Sequence, residues 1–204
     1  MDIQTFTHIY QPGSEARTLL LLHGTGADET DLLPFAKAMG WKGNVLSLRG
    51  RVLENGMPRF FKRLGFGVFD IDDLKLRTQE LLDYLPLAAA HYGFDASQLY
   101  TLGYSNGANL IGAALITQPG VFAKSVLLRP MIPFEPEKAS ESASGEVLLL
   151  SGQMDPTVPG GMPQQWQQLL EQFYPGRVQL QLMPGGHGLS QADLQQAAAF
   201  LLQH

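Results

Sequence analysis

Residues 98–116 read QLYTLGYSNGANLIGAALI. Residues 98–102 are an apolar, strand-like run, and the residues after Gly107 are rich in Ala, Leu and Ile, as a buried helix would be. Between them stands Gly103-Tyr104-Ser105-Asn106-Gly107, a G-x-S-x-G pattern at a strand-to-helix turn. Such a turn holds the serine in strained backbone geometry with its hydroxyl clear of the sheet, and the flanking glycines let strand and helix approach closely. The helix that follows aims its positive end at negative charge developing near the serine. The competing reading is a tight glycine turn with an incidental serine, and the strand before it and helix after it weigh against that.

Working outward, short apolar runs alternate with helical stretches. Strands are expected at residues 18–22, 45–48, 98–102, 125–128, 147–151 and 178–182, with a weaker edge strand at 5–10. Most of the middle runs are almost continuously apolar, as parallel strands covered on both faces would be. Val178, Leu180 and Leu182 instead alternate with Gln179 and Gln181, which points to one wetter face near an edge. Trp166, Leu169, Leu170 and Phe173 share one helical face, with Pro163 suited to the first turn. Ser190 and Asp193 are spaced as a capping box, and Leu189 and Leu194 as a hydrophobic staple. Residues 72–91 read as a long helix that Pro86 should kink or split. The pattern predicts a three-layer α/β sandwich with a mostly parallel sheet. No repeat is found, and the low-complexity stretch 135–146 reads as a solvated loop between two strands.

Composition narrows the function. The chain has 204 residues, enough to bury a sizeable core, and is read as one domain, 1–204. A formal charge of −5 argues against a general nucleic-acid binder. With no cysteine, disulfide scaffolds, thiolate metal sites and a Cys nucleophile are excluded. No signal peptide is recognised near Met1, and the longest aliphatic run, residues 19–22, is far too short to span a bilayer. The expectation is a cytoplasmic protein with no membrane partner.

A serine nucleophile needs a base, and the base an orienting carboxylate. In this architecture the acid and then the histidine follow the serine in the chain. Asp155 comes just after the run at 147–151, where open α/β sheets place their ligands. His187 stands in the glycine-rich stretch Met183-Pro184-Gly185-Gly186-His187-Gly188, before the last helix. A lone Asp after a strand is commonly a turn former and a lone loop His a surface residue, but both here have the right type, order and position. Glu135 is the rival acid. His8, His91 and His204 lie far from this region, and His23 precedes the serine. Two backbone N–H groups should form an oxyanion hole, one from Asn106 and one from the turn His23-Gly24-Thr25-Gly26, with Thr25 the favoured donor. That turn lacks the third glycine of a dinucleotide fingerprint and the Walker lysine, and HExxH is absent, so no metal ligand set is evident.

Arg49, Arg51, Arg59, Lys62 and Arg63 place five of the 14 basic residues in one short segment opposed only by Glu54. Arg49 or Arg51, close after the run at 45–48, would suit a substrate carboxylate, and Phe60, Phe61, Phe66 and Phe69 an aromatic or acyl group. The alternative is a solvated loop whose arginines pair with surface acids and whose phenylalanines fill the core. Arg129 is a weaker candidate of the same kind.

The segments LLLLHGTGADETDLLPFA, NVLSLRGRVLENGMPRFFKR, LGYSNGAN, LSGQMDPTVP and GGHGLS, spread along nearly the whole chain, resemble α/β-hydrolases of the phospholipase/carboxylesterase family, which includes acyl-protein thioesterases. The second segment most resembles small bacterial hydrolases linked to quinone and hydroquinone resistance. The resemblance implies an α/β-hydrolase fold without a lid domain, a Ser105–Asp155–His187 triad, Thr25 and Asn106 as oxyanion donors, no cofactor, and small ester or thioester substrates. It is compatible with a homodimer. Asn106 stands where acyl-protein thioesterases usually have Gln, and HGTGAD lacks their longer glycine pattern, which counts against a protein-thioesterase role. The expected activity is that of a serine carboxylesterase. The alternatives are a thioesterase or lysophospholipase with the same triad, or a non-catalytic scaffold that binds a small molecule.

Overall fold

The apolar runs become the strands of one seven-stranded sheet in a computed structural model that describes residues 1–136, 145–174 and 176–203. In chain order the strands are β1 (His8–Gln11), β2 (Glu15–Leu22), β3 (Gly43–Leu48), β4 (Val52–Glu54), β5 (Met57–Arg59), β6 (Arg63–Gly65), β7 (Val68–Phe69), β8 (Leu99–Tyr104), β9 (Lys124–Leu128), β10 (Glu146–Gly152) and β11 (Arg177–Met183). The helices are α1 (Leu33–Ala38), α2 (Ile71–Tyr92), α3 (Asn106–Thr117), α4 (Met162–Phe173) and α5 (Gln191–Leu202). The sheet order is β1-β3-β2-β8-β9-β10-β11, with only β1 antiparallel to its neighbour.

Side-chain alternation along the strands builds two cores. Leu20 and Leu22 of β2 face one way and pack with residues of α2, α3 and α4, including Leu81, Ile111 and Trp166. Leu19 and Leu21 face the other way, with Ala36 of α1 and Ala197 and Leu201 of α5. All four leucines are wholly buried, each stabilising the fold by roughly 1.5–3 kcal/mol. β11 lies at an edge as its Val/Gln/Leu/Gln alternation predicts, but Val178 to Gln181 are all half-buried and Leu182 is exposed, so no single face is the wetter one.

The N-terminal edge strand starts three residues later than expected, because Asp2 caps a single 3-10 turn at Ile3–Thr5. Pro86 does not split α2. Its ring faces solvent, while Tyr84, Leu85 and Ala88 around it are buried and hold the helix to the core. Asp70 caps the first turn of α2, and Gly93, at φ 74°, ends it. Sequence periodicity missed the two hairpins β4–β5 and β6–β7, whose strands are too short to show an alternation. The expected loop at 135–146 falls largely on residues 137–144, and His204 falls on the last position; both lie outside the described residues. Among the described residues no helix is long and apolar enough to cross a membrane.

One buried ion pair ties the C-terminal edge of the sheet to α5. Arg129, at the end of β9, has φ 56°, a left-handed conformation that a side chain disfavours, and it is almost wholly buried. All five of its guanidinium N–H groups are used. Nε donates to Gly186 O (2.9 Å), Nη1 to Leu150 O (3.1 Å) and Asp193 Oδ1 (2.7 Å), and Nη2 to Gly188 O (3.0 Å) and Asp193 Oδ2 (2.9 Å). Asp193 also closes the capping box of α5 by accepting from the Ser190 amide and hydroxyl.

Burial alone would push the Asp193 carboxyl up, but the bonds from Arg129 and Ser190 outweigh it and hold the group below the usual carboxylate range. A depressed folded-state value means that Asp193 stabilises the fold above its unfolded value, about 3.9, and that this contribution fades as pH falls towards the folded value. Asp193→Asn should therefore lower the unfolding free energy at pH 7 by about 3–5 kcal/mol, because it leaves the Arg129 charge buried and unpaired. Urea titrations between pH 3 and pH 7 should show a shallower acid loss in the variant than in the wild type. Equal stability at pH 7 would rule the pair out as a structural tie.

Candidate active site

Ser105 stands between β8 and α3 at φ 51° and ψ −110°, backbone angles that cost of order 1–3 kcal/mol for a residue with a side chain. The surroundings fix it there: its amide donates to Leu128 O at 2.8 Å. The glycines of the turn are sterically required. A Cβ on Gly107 would lie 2.1 Å from the Leu22 carbonyl oxygen, and one on Gly103 would lie 2.8 Å from the Ala108 nitrogen. The close contact between strand and helix read from the sequence is thus met with no space for a methyl group.

Asp155 and His187 come from the loops after β10 and β11, and these two parallel strands stay zipped beyond their ends. Gln153 N donates to Met183 O (2.9 Å) and Met154 N to Gly185 O (2.9 Å), which sets the two loops side by side. His187 Nδ1 lies 2.8 Å from Asp155 Oδ2, and His187 Nε2 lies 3.0 Å from Ser105 Oγ. The Asp155 side chain is fully buried and that of His187 is 30% exposed, so a ligand can reach the imidazole but not the carboxylate. Tyr104 donates its hydroxyl to the His187 carbonyl (3.1 Å), and Arg129 grips the carbonyls of Gly186 and Gly188 on either side.

Thr157 completes this cluster and was not anticipated. Its hydroxyl donates to Asp155 Oδ1 (2.6 Å), its amide donates to the same oxygen (2.9 Å), and its oxygen lies 2.7 Å from His187 Nδ1. Burial alone would raise the Asp155 pKa. The Thr157 hydroxyl, the His187 ring and the Thr157 amide outweigh it, so the carboxyl sits below the usual range and is ionised at neutral pH. The available signal was an Asp followed two residues later by Thr, an Asx-turn spacing.

Thr25 and Asn106 both line a cavity of about 270 Å³ that also exposes Ser105 and His187. Neither backbone amide has a partner among the described residues, whereas the next amide in each loop is used, Gly26 N by Pro58 O and Gly107 N by His23 O. Asn106 is the first residue of α3, where amides lack intrahelical acceptors. Its side chain turns away and accepts from Phe60 N at 2.7 Å. Arg59 Nη1 donates to the Thr25 hydroxyl at 2.6 Å and so orients that loop. His23 is buried behind it. Its Nε2 accepts from Gly50 N (3.0 Å), so the ring proton resides on Nδ1, 2.6 Å from Gly24 O. Burial keeps His23 below the ordinary histidine range, and it acts as a neutral spacer of the loop.

Two readings of the basic segment were open, and the structure divides it between them. Arg49 makes a bidentate contact with Glu29 (2.5 and 2.8 Å), Arg51 reaches Glu80 (3.4 Å), and neither lines the cavity. Phe61 is wholly buried and packs edge-on against Phe69 at 5.1 Å, so it is core and does not contact the cavity. Arg59, Arg63, Phe66 and Phe69 do line it. The hairpins swing the second half of the segment over Ser105, which a linear reading cannot foresee. Arg129 also borders the cavity, but all its donors are occupied. Glu135 makes no contact with the Ser105–His187–Asp155 chain. Among the described residues no three His, Asp or Glu side chains gather as a metal site requires.

A strained serine, an imidazole within hydrogen-bond reach and a buried ionised carboxylate behind it form an arrangement able to take a proton from the serine hydroxyl. Known proteins agree with the architecture. The family model described as Phospholipase/Carboxylesterase matches residues 68–204. The Bacillus subtilis (strain 168) protein MhqD, which carries a hydrolase name, is 38% identical over 190 residues, covering 93% of this chain and 94% of its own. The crystal structure of the Bacillus cereus carboxylesterase superposes with a TM-score of 0.92 at 38% identity, over 97% of this chain and 93% of that one. A carboxylesterase from Mesorhizobium loti gives a TM-score of 0.89 at 27% identity, over 98% and 95%. The chain adopts the α/β-hydrolase fold and belongs to the phospholipase/carboxylesterase family of hydrolases.

Proposed function

We propose that the protein is a serine carboxylesterase that cleaves small carboxylic esters through an acyl-enzyme on Ser105. The observation that carries this reading is the continuous hydrogen-bonded chain from Ser105 Oγ through the His187 ring to Asp155. In the first half-reaction Ser105 Oγ attacks the ester carbonyl as His187 Nε2 takes its proton. The negative oxygen of the tetrahedral intermediate is received by the Thr25 and Asn106 amides, both without a partner among the described residues and the second at the N-terminus of α3. His187 then returns the proton to the departing alcohol. Water repeats the sequence on the acyl-enzyme, releasing the acid and restoring Ser105. Asp155, held ionised, keeps the imidazole in the tautomer with its proton on Nδ1 and stabilises the imidazolium.

The cavity favours small esters over long-chain lipids. Its volume, about 270 Å³, is below the range of roughly 300–1,000 Å³ that takes drug-sized ligands. Among the described residues no inserted domain covers it, and part of its wall is made by the β6–β7 hairpin that carries Arg63 and Phe66.

Hydrolysis of short p-nitrophenyl esters by the purified protein should fall at least roughly 10³-fold in Ser105→Ala. A fluorophosphonate probe should add one label, located on Ser105 by peptide mass analysis. Labelling of another residue, or undiminished activity in the variant, would overturn the reading. Asp155→Asn should retain the fold and lose roughly 10⁴ in kcat. Thr157→Val is isosteric and removes the hydroxyl bond to Asp155, a charge-assisted bond whose loss should lower kcat roughly tenfold. KM should change little, since Thr157 positions the acid and not the ester. A fall in KM-dependent binding with kcat intact would show that Thr157 acts on the substrate instead.

A further inference from the structure

The cavity wall holds cationic groups that ester cleavage as such does not need. Arg59, Arg63 and Arg129 line the cavity around Ser105, and among the described residues no carboxylate lines it, in a chain whose net charge is −5. Arg129 is neutralised by Asp193 and has no donor left. The other two differ. Arg59 gives Nε to Phe61 O (3.2 Å) and Nη1 to Thr25 Oγ1 (2.6 Å), and lies 3.4 Å from Glu54 Oε2; its Nη2 has no partner among the described residues. Arg63 gives only Nε, to Glu54 Oε1 at 2.9 Å, and both of its Nη groups have no partner among the described residues. Among the described residues one carboxylate, Glu54, thus serves two guanidinium groups, and one positive charge at the wall has no counter-charge.

The two side chains divide the work by burial. Arg59 is only 4% exposed and is fixed by its backbone and Thr25 contacts, whereas Arg63 is 26% exposed with its terminal nitrogens available. A guanidinium edge of that kind matches a carboxylate with two parallel N–H···O bonds. Arg63 and Ser105 line the same small cavity of about 270 Å³, so an anion held at the wall lies within a short spacer of a carbonyl seated at Ser105. Phe66, Phe69 and Met131 border the same space and suit the methylenes or ring between the two. We infer that the preferred substrates are esters bearing a free carboxylate a short spacer away from the scissile carbonyl, gripped by Arg63 with Arg59 behind it. The inference rests on Ser105 acting as the nucleophile and adds the substrate class to that reading.

The test compares matched pairs of esters by kcat/KM. Monoethyl glutarate against ethyl pentanoate places the charge on the acyl side, and 4-acetoxybenzoate against its methyl ester places it on the leaving group. Both are followed by pH-stat at low salt. The wild type should favour the anionic member of at least one pair by roughly 10- to 100-fold, the size of a charge-assisted bidentate contact, and the pair that responds tells which side carries the anion. Arg63→Gln should lower that anionic-to-neutral ratio at least tenfold. Arg51→Gln, which removes the same charge outside the cavity, should leave it unchanged. As a check needing no variant, glutarate should inhibit wild-type hydrolysis of ethyl pentanoate competitively, and pentanamide at equal concentration should not. Ratios near one in both pairs, or a ratio unaffected by Arg63→Gln, would overturn the inference. Neutral esters cleaved by the wild type and not by Ser105→Ala would, in that case, leave the nucleophile standing. Persistent cleavage by Ser105→Ala would instead overturn the reading beneath it.

Discussion

The Arg129–Asp193 pair is the constraint on which the site geometry depends. His187 stands in a turn containing three glycines, and nothing in such a backbone fixes an imidazole to within a few tenths of an ångström. Arg129 supplies the missing rigidity from the neighbouring strand, by holding the carbonyls on both sides of His187 and the acid that caps α5. A buried pair of this kind adds little net stability compared with a well-packed apolar substitute, because desolvating two charges offsets most of their attraction. Its return is geometric. Five donors in a fixed plane define the position of a loop that the sheet does not reach, and the left-handed backbone at Arg129 is accepted to aim them.

The same logic governs Ser105. Its strained angles are sustained because Gly103 and Gly107 let α3 sit directly on the ends of β2 and β8, and no relaxed turn fits that separation. Strain on one side and the Arg129 strap on the other bring Ser105 and His187 to 3.0 Å although 82 residues separate them. Thr157 and Asp155 then fix the second half of the chain from a loop kept in register by the β10–β11 ladder. Ser105 is thus positioned apart from the other two side chains, whereas Asp155 and His187 share Thr157 and adjacent loops, so a fault in one of that pair reaches the other.

Much of this was legible in the sequence, for reasons that can be stated. Gly103 to Gly107, Asp155 and His187 announce themselves because each sits in a local context, a strand end followed by a turn, that short-range patterns capture. The edge position of β11 was readable because Gln179 and Gln181 interrupt its apolar run, although Val178 to Gln181 are in fact all half-buried. The break allowed for at Pro86 did not occur, since that local rule assumes a helix without support, whereas α2 runs unbroken and is held by the core on both sides of the proline. Thr157 carried a short-range signal, its spacing from Asp155, that went unused, whereas Arg129 was missed in its real role because Asp193 lies 64 residues away. No periodicity encodes a contact of that range.

The segment at residues 49–63 shows most clearly where linear reading stops. Its charge was visible, but a run of arginines says nothing about which of them turn inward. The two short hairpins decide it: Arg49 and Arg51 precede them and find Glu29 and Glu80, while Arg59 and Arg63 ride on them to the cavity. Ser105, Asp155 and His187 come from strand ends of the main sheet, whereas this wall comes from an insertion between β3 and α2 that the sheet does not require. The insertion can therefore change its side chains without disturbing the Ser105–His187–Asp155 geometry, with one exception. The Arg59 side chain donates to Thr25 Oγ1 at 2.6 Å, whereas the other ties of this wall to the Ser105 surroundings, Phe60 N to Asn106 Oδ1 (2.7 Å) and Gly26 N to Pro58 O (2.9 Å), use its backbone and survive a change of side chain.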